Sequence, residues 1–302
     1  MDDTLVPPAA GVRSIATRAG QLRVLHSGTS VPGRADVVLV HGGGTDNAAI
    51  SWYHLFEPLG RHRKVWAIDL PGFGGSIDVP PLGGPAELAG VVAEVIEQFD
   101  AAPAVVFGVS MGGDVALNVA LEYPQAVSAL VLISPGGLVP VLRNRFVQAG
   151  AWAMARLPDF LLIPLSRFAN RYADRAMKAV VKDPSVLPQQ VVEEFVRQAR
   201  DPRGGLAYGR YNQATLGPSR MLNDLTGRVH EIRVPTLFYH GEDDPMVDPA
   251  GSQRAAARMP DAKLVMVPDC GHWGQLEKPD HFLDLVLEFL HDVDPAPSHH
   301  SE

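Results

Sequence analysis

Short, unbroken apolar runs that stop at glycine recur along this chain, and they narrow its folds sharply. Val37-Val38-Leu39-Val40 runs into His41-Gly42-Gly43-Gly44. Val65-Trp66-Ala67-Ile68 runs into Asp69-Leu70-Pro71-Gly72, and Val105-Val106-Phe107 into Gly108. Leu130-Val131-Leu132-Ile133 runs into Ser134-Pro135-Gly136-Gly137. Runs without polar alternation suit strands buried on both faces of a parallel sheet. Helical spacing fills the gaps: Leu88, Val91, Val92, Val95, Ile96 and Phe99 share one face, and Met111 to Tyr123 reads as a helix stopped by Pro124. Strand and helix in alternation predict an α/β fold with a doubly wound, mostly parallel sheet.

The alternation returns late in the chain. Thr236 to Tyr239 and Leu264 to Val267 read as strands, Ser252 to Met259 and the segment around Phe282 to Leu290 as helices. Near the start, Ser14 to Thr17 and Leu22 to Leu25 suit an antiparallel hairpin. The stretch between the halves has apolar residues at helical spacing and no strand rhythm. The expected organisation is a core of residues 1–137 and 229–292, a helical cap at 138–228 inserted into it, and a disordered tail at 293–302.

Composition removes several function classes. The 302 residues are 46% hydrophobic, as in folded globular proteins and unlike disordered chains. A net charge of −8 offers no basic excess for nucleic acid. No apolar run reaches the roughly 20 residues that span a bilayer. Met1-Asp2-Asp3-Thr4 does not resemble a secretory signal, and one cysteine, Cys270, cannot form an internal disulfide. A cytoplasmic location is expected. The expected partner is a small-molecule substrate; a homodimer is left open.

The chemistry is concentrated in Gly108-Val109-Ser110-Met111-Gly112, placed where a strand passes into a helix. That is the setting of a nucleophile elbow, a sharp turn that holds a serine hydroxyl exposed at a helix N-terminus. A serine needs a base, and the base needs a carboxylate to orient it. Among eleven histidines, His272 in Cys270-Gly271-His272-Trp273 follows a late strand and is the expected base. His41 precedes the serine, and His240 reads as a buried neighbour of the acid loop. Glu242, Asp243, Asp244 and Asp248 are all candidates for the acid. The glycine run Gly42-Gly43-Gly44 lets backbone N–H groups approach a substrate oxygen, and with the Met111 N–H it suits an oxyanion hole. Neither G-x-x-x-x-G-K nor G-x-G-x-x-G occurs, and no His, Cys or acidic set has metal-ligand spacing. Cys270 reads as packing and Asp69 to Ser76 as a structural loop. No cofactor or metal is expected.

These segments, in this order, resemble the α/β-hydrolase superfamily over about Val12 to Asp292. The resemblance selects Asp244 as the acid, implies a Ser110–His272–Asp244 triad, and gives the oxyanion N–H groups to Gly43 and Met111. Gly42, Gly44, Val109 and Trp273 are then expected at the substrate. The stretch Ser110 to Asn118, Pro135 to Leu138 and Trp273 look like the meta-cleavage-product hydrolases, which cleave carbon–carbon bonds in dienoates. Those enzymes usually carry Asn before the nucleophile, where this chain has Val109. Arg197, Arg200 and Arg203 are candidates for their cap arginine. The expected activity is a serine hydrolase acting on a small apolar or aromatic carboxylic ester or related acyl substrate. The alternatives are dienoate carbon–carbon hydrolysis and a non-catalytic ligand-binding protein on the same fold.

Overall fold

The β-branched runs become strands because their side chains can be buried on both sheet faces at once. The structure, a computed structural model, describes residues 4–294. Its strands are β1 (Gly11–Thr17), β2 (Gly20–Ser27), β3 (Val37–Val40), β4 (Val65–Ile68), β5 (Ala104–Val109), β6 (Val127–Ile133), β7 (Thr236–Gly241) and β8 (Ala262–Val267). Among the described residues they form one eight-stranded sheet in the order β1-β2-β4-β3-β5-β6-β7-β8. The β1–β2 hairpin and its edge with β4 are antiparallel. Every other pairing is parallel. Each residue of β3, β4, β5 and β7 is buried, as continuous apolar runs require.

The helices are α1 (Ala48–Ser51), α2 (Phe56–Gly60), α3 (Pro85–Gln98), α4 (Met111–Glu122), α5 (Arg145–Ala155), α6 (Asp159–Ala169), α7 (Ala173–Ala179), α8 (Gln189–Arg200), α9 (Leu206–Thr215), α10 (Ala250–Ala256), α11 (Gly274–Glu277) and α12 (Pro279–Val293). Two apolar layers cover the sheet. Helices α3 and α4 pack on one face through Leu88, Val92, Val95, Val115 and Val119. On the other face Trp52, Phe56, Phe282, Val286 and Leu290 close over Phe107 and Tyr239.

The run from α5 to α9 is inserted between β6 and β7. Buried polar contacts fasten it to the core. Glu194 of α8 accepts a bond from Asn47 Nδ2 at 2.8 Å, next to α1. Tyr211 of α9 reaches Asp114 of α4. The expected tail starts too early: Val293 ends α12 and Asp294 pairs with the buried Arg63 at 2.8 Å, while residues 295–302 lie outside the described residues.

Candidate active site

Ser110 sits between the last residue of β5 and the first of α4, with φ 54° and ψ −119°. This left-handed conformation is costly for a residue with a Cβ and persists only where the surroundings impose it. The surroundings do so here. The Ser110 N–H donates to Ile133 O at 3.0 Å, and its carbonyl accepts from Gly113 N at 2.9 Å and Gly136 N at 2.8 Å. A Cβ on Gly108 would collide with the Gly112 carbonyl, and one on Gly112 with the Val40 carbonyl, so both flanks must be glycine. Met111 then opens α4, where the first N–H groups have no intrahelical partner.

The structure separates the four candidate carboxylates. Glu242 is exposed. Asp243 pairs with Lys182 at the surface, 2.9 Å apart. Asp248 accepts from the Ala250 N–H at 3.0 Å. Asp244 alone of the four meets His272: its side chain is fully buried, and Oδ2 accepts from His272 Nδ1 at 2.8 Å. The same oxygen lies 3.1 Å from His240 Nε2, while Oδ1 accepts from the Met246 and Val247 amides at 2.7 and 3.0 Å. Burial by itself would raise this carboxyl. The bonds from His240, His272 and the Val247 amide outweigh burial and hold it well below the usual carboxylate range.

These contacts assign the tautomers by hydrogen-bond logic. With Nδ1–H directed at Asp244, neutral His272 keeps a lone pair on Nε2. His240 presents Nε2–H to Asp244 and accepts from Ser252 Oγ on Nδ1 at 2.8 Å. The His272 loop is itself pinned. The His272 N–H donates to Val180 O at 2.8 Å, and Glu277 accepts from the Gly271 and Lys182 amides at 3.1 and 2.7 Å. His41 is fully buried and spent on structure, with Nδ1 against Gly42 O at 2.7 Å and Nε2 accepting from the Leu70 N–H at 3.1 Å.

A cavity of about 950 Å³ opens over the turn. Ser110, Met111 and Asp244 line it, with Leu142, Met154 and Leu162 from the inserted segment among the apolar walls and Tyr208, Tyr211 and Asn223 among the polar ones. His272 and Gly43 are not among its lining residues, and neither are Gly42, Gly44, Val109 and Trp273, each of which has a different setting. The Gly42 N–H is taken by Asp46 Oδ2 at 2.8 Å. Val109 belongs to the apolar cluster under the sheet, on the face its strand parity dictates. Trp273 is buried edge-on against Phe195, centroids 5.8 Å apart. Gly44 takes φ 76°, which shapes the turn. Among the described residues the Gly43 N–H has no hydrogen-bond acceptor, and the Tyr208 ring covers the space a Cβ at Gly43 would fill.

Sequence reasoning missed a second buried carboxylate beside the turn. Asp114 Oδ2 accepts from Tyr211 Oη and Asn223 Nδ2, both at 2.5 Å, and Oδ1 from Asn118 Nδ2 at 3.1 Å. Burial pushes it up to about 6, despite those three neutral donors. The only local signal was the i, i+4 pair Asp114–Asn118; the other partners lie 97 and 109 residues away.

Comparison with known proteins places this architecture. A family model of the alpha/beta hydrolase fold matches residues 36–279. The chain belongs to the α/β-hydrolase fold family. Among its relatives, the 2-hydroxy-6-oxo-6-phenylhexa-2,4-dienoate hydrolase of Burkholderia cepacia is 29% identical, covering 84% of this chain and 87% of that one. A 2-hydroxy-6-oxononadienedioate/2-hydroxy-6-oxononatrienedioate hydrolase of Cupriavidus pinatubonensis is 30% identical over 88% of this α/β-hydrolase and 90% of its own length. A solved serine hydrolase involved in carbazole degradation superimposes with a TM-score of 0.74 at 23% identity, covering 94% and 99% of the two chains. Among the described residues no helix of this α/β-hydrolase is long and apolar enough to cross a membrane.

Proposed function

We propose that this α/β-hydrolase is a serine hydrolase that cleaves a small apolar or aromatic carboxylic ester, or a related acyl substrate, through Ser110, His272 and Asp244. The observation that carries the reading is the His272–Asp244 bond, 2.8 Å long and fully buried at the carboxylate, beside the cavity that the Ser110 turn lines. His272 Nε2 takes the Ser110 Oγ proton as Oγ attacks the carbonyl carbon. The N–H groups of Gly43 and Met111 receive the resulting oxyanion; in known cases one such donor is worth about 3–4 kcal/mol. The tetrahedral intermediate collapses, the C–O bond breaks, and His272 hands its proton to the leaving alkoxide. Water, deprotonated by His272, then attacks the acyl-serine; the acyl C–Oγ bond breaks, His272 returns the proton to Ser110 Oγ, and the acid is released.

In this reading Asp244 stays ionised and fixes the His272 tautomer. His240 is a positioning residue that holds the shared oxygen from the other side. Residues 138–228 act as a cap over the core of residues 1–137 and 229–292. Its apolar walls and the cavity's volume suit a small to drug-sized apolar substrate.

A second reading, carbon–carbon hydrolysis of a dienoate, is favoured by the names of the 29–30% identical relatives. Val109 cannot supply the hydrogen bond that an Asn would offer there. One panel separates the readings: aryl and alkyl esters of graded acyl length plus one ring-cleavage dienoate, with Ser110→Ala as blank. Ester turnover above dienoate turnover, lost in Ser110→Ala, supports the first. Faster dienoate turnover supports the second. A ligand that raises Tm and is never consumed, with no turnover across the panel, would contradict both.

A further inference from the structure

Charge in this protein is divided by position. Residues 138–228 carry 14 Lys or Arg against 7 Asp or Glu, whereas the rest of the chain carries 12 against 27. The acidic whole therefore contains a segment of net +7. Within it, residues 143–178 hold Arg143, Arg145, Arg156, Arg167, Arg171, Arg175 and Lys178, all exposed, against Asp159 and Asp174. Asp159 is already paired with Arg210 at 2.6 Å. Among the described residues none of those seven cations is in an ion pair with a carboxylate.

The same stretch holds an unusual share of exposed apolar surface. Of thirteen exposed large hydrophobic residues among those described, eight fall here: Phe146, Val147, Met154, Phe160, Leu161, Leu165, Phe168 and Tyr172. Phe146 is 91% exposed and Phe160 74%. Leu161, Leu165, Phe168 and Tyr172 repeat at i, i+4, i+7 and i+11, which is one stripe along α6 and the turn that follows it. Arg171 lies over the Phe168 ring at 5.7 Å and Arg175 over Tyr172 at 5.8 Å. Exposed aromatics interleaved with cations, on helices lying across the surface, are how a protein rests in a lipid interface: rings enter the acyl boundary and cations meet the headgroups.

We infer that the α5–α6 face docks on an anionic phospholipid surface. The charge sign selects the partner, since the net −15 remainder of the chain repels the same surface and orients the protein with α5 and α6 toward it. The patch adjoins the cavity: Arg143 and Met154 are exposed and also line it. Docking therefore brings the cavity mouth to the lipid, where apolar acyl substrates partition. The binding itself does not rest on the hydrolase reading, so the two can fail separately.

The test uses the full-length Ser110→Ala protein, which removes turnover from the readout, in flotation with vesicles of phosphatidylglycerol and phosphatidylcholine or of phosphatidylcholine alone. Expected is flotation with the anionic vesicles, at least a tenfold weaker partition to the neutral ones, and release at 0.5 M salt. Two exposed-residue variants separate the contributions: Phe146→Ser with Phe160→Ser and Phe168→Ser, and Arg145→Gln with Arg171→Gln and Arg175→Gln. Each should lose at least tenfold in partition while keeping its Tm. Absence of flotation with anionic vesicles overturns the inference. Equal flotation by both variants overturns it as well. So does sedimentation showing a stable dimer that the aromatic variant abolishes, since a second copy would then own the face.

Discussion

Two buried aspartates flank the Ser110 turn, and the protein shifts their proton affinities in opposite directions. Asp244 receives two imidazoles and two backbone amides, and its negative charge is favoured. Asp114 receives only a phenol and two carboxamides, and burial raises it to about 6. Both side chains are excluded from water. The difference lies in the donors: an imidazole can become a cation and answer a full charge, whereas phenol and amide dipoles stop short of offsetting desolvation. One carboxylate is therefore suited to orient a base. The other ties α4 to α9 through its bond from Tyr211.

Breaking the charged partner should cost most. Asp244→Asn keeps the shape but loses the anion that fixes His272, so kcat should fall about 10⁴-fold with a native fold, checked by steady-state kinetics and circular dichroism. A fall of less than tenfold would mean that Asp244 does not orient the base.

The next effect concerns pH and Asp114. A carboxyl raised in the folded state stabilises the fold while protonated, and that advantage is lost as pH rises from its usual value, 3.8, through about 6. The difference corresponds to about 3 kcal/mol. Asp244 behaves oppositely: its contribution is present above the usual carboxylate range and is lost as pH falls. Unfolding of the native protein and of Asp114→Asn between pH 4 and 7.5 isolates the first effect. The native protein should lose stability relative to the variant as pH rises; parallel curves would refute the raised carboxyl.

Smaller changes sharpen the contrast. Tyr211→Phe removes one donor from Asp114 and should cost about 1 kcal/mol of stability, read from the denaturant midpoint. It should also move the pH-dependent loss of stability to higher pH. His240→Gln should lower kcat by roughly tenfold or less, because His272 still anchors Asp244; a donor bond of this kind contributes about 1–2 kcal/mol. A structural role alone would change Tm without moving the acid limb of the kcat profile, so the pH profile decides whether His240 positions the triad.

The sheet was largely legible because its strands are buried on both faces and read as plain apolar runs. Val37–Val40 and Val65–Ile68 occur with the expected limits, and the helix expected from Met111 begins there. The Ser110 turn was legible for a steric reason, since only glycine fits beside it. What escaped depends on contacts that local patterning does not announce, whether between distant segments or within one turn. Nothing near Asp114 announces Tyr211 or Asn223. Nothing near Gly42 says that Asp46 takes its N–H. Val109 was placed at the substrate by its neighbourhood to Ser110, yet strand alternation sends its side chain under the sheet.

The central claim is that Ser110 is a nucleophile activated by His272 and Asp244, and covalent capture tests it most directly. The protein is treated with a fluorophosphonate at pH 7.5 and digested, and the adduct is located by mass spectrometry. The account predicts a single stoichiometric adduct on Ser110, formed at least a hundredfold more slowly in His272→Ala and Asp244→Asn. An unlabelled Ser110 in folded protein, or labelling at an unchanged rate in both variants, would contradict it.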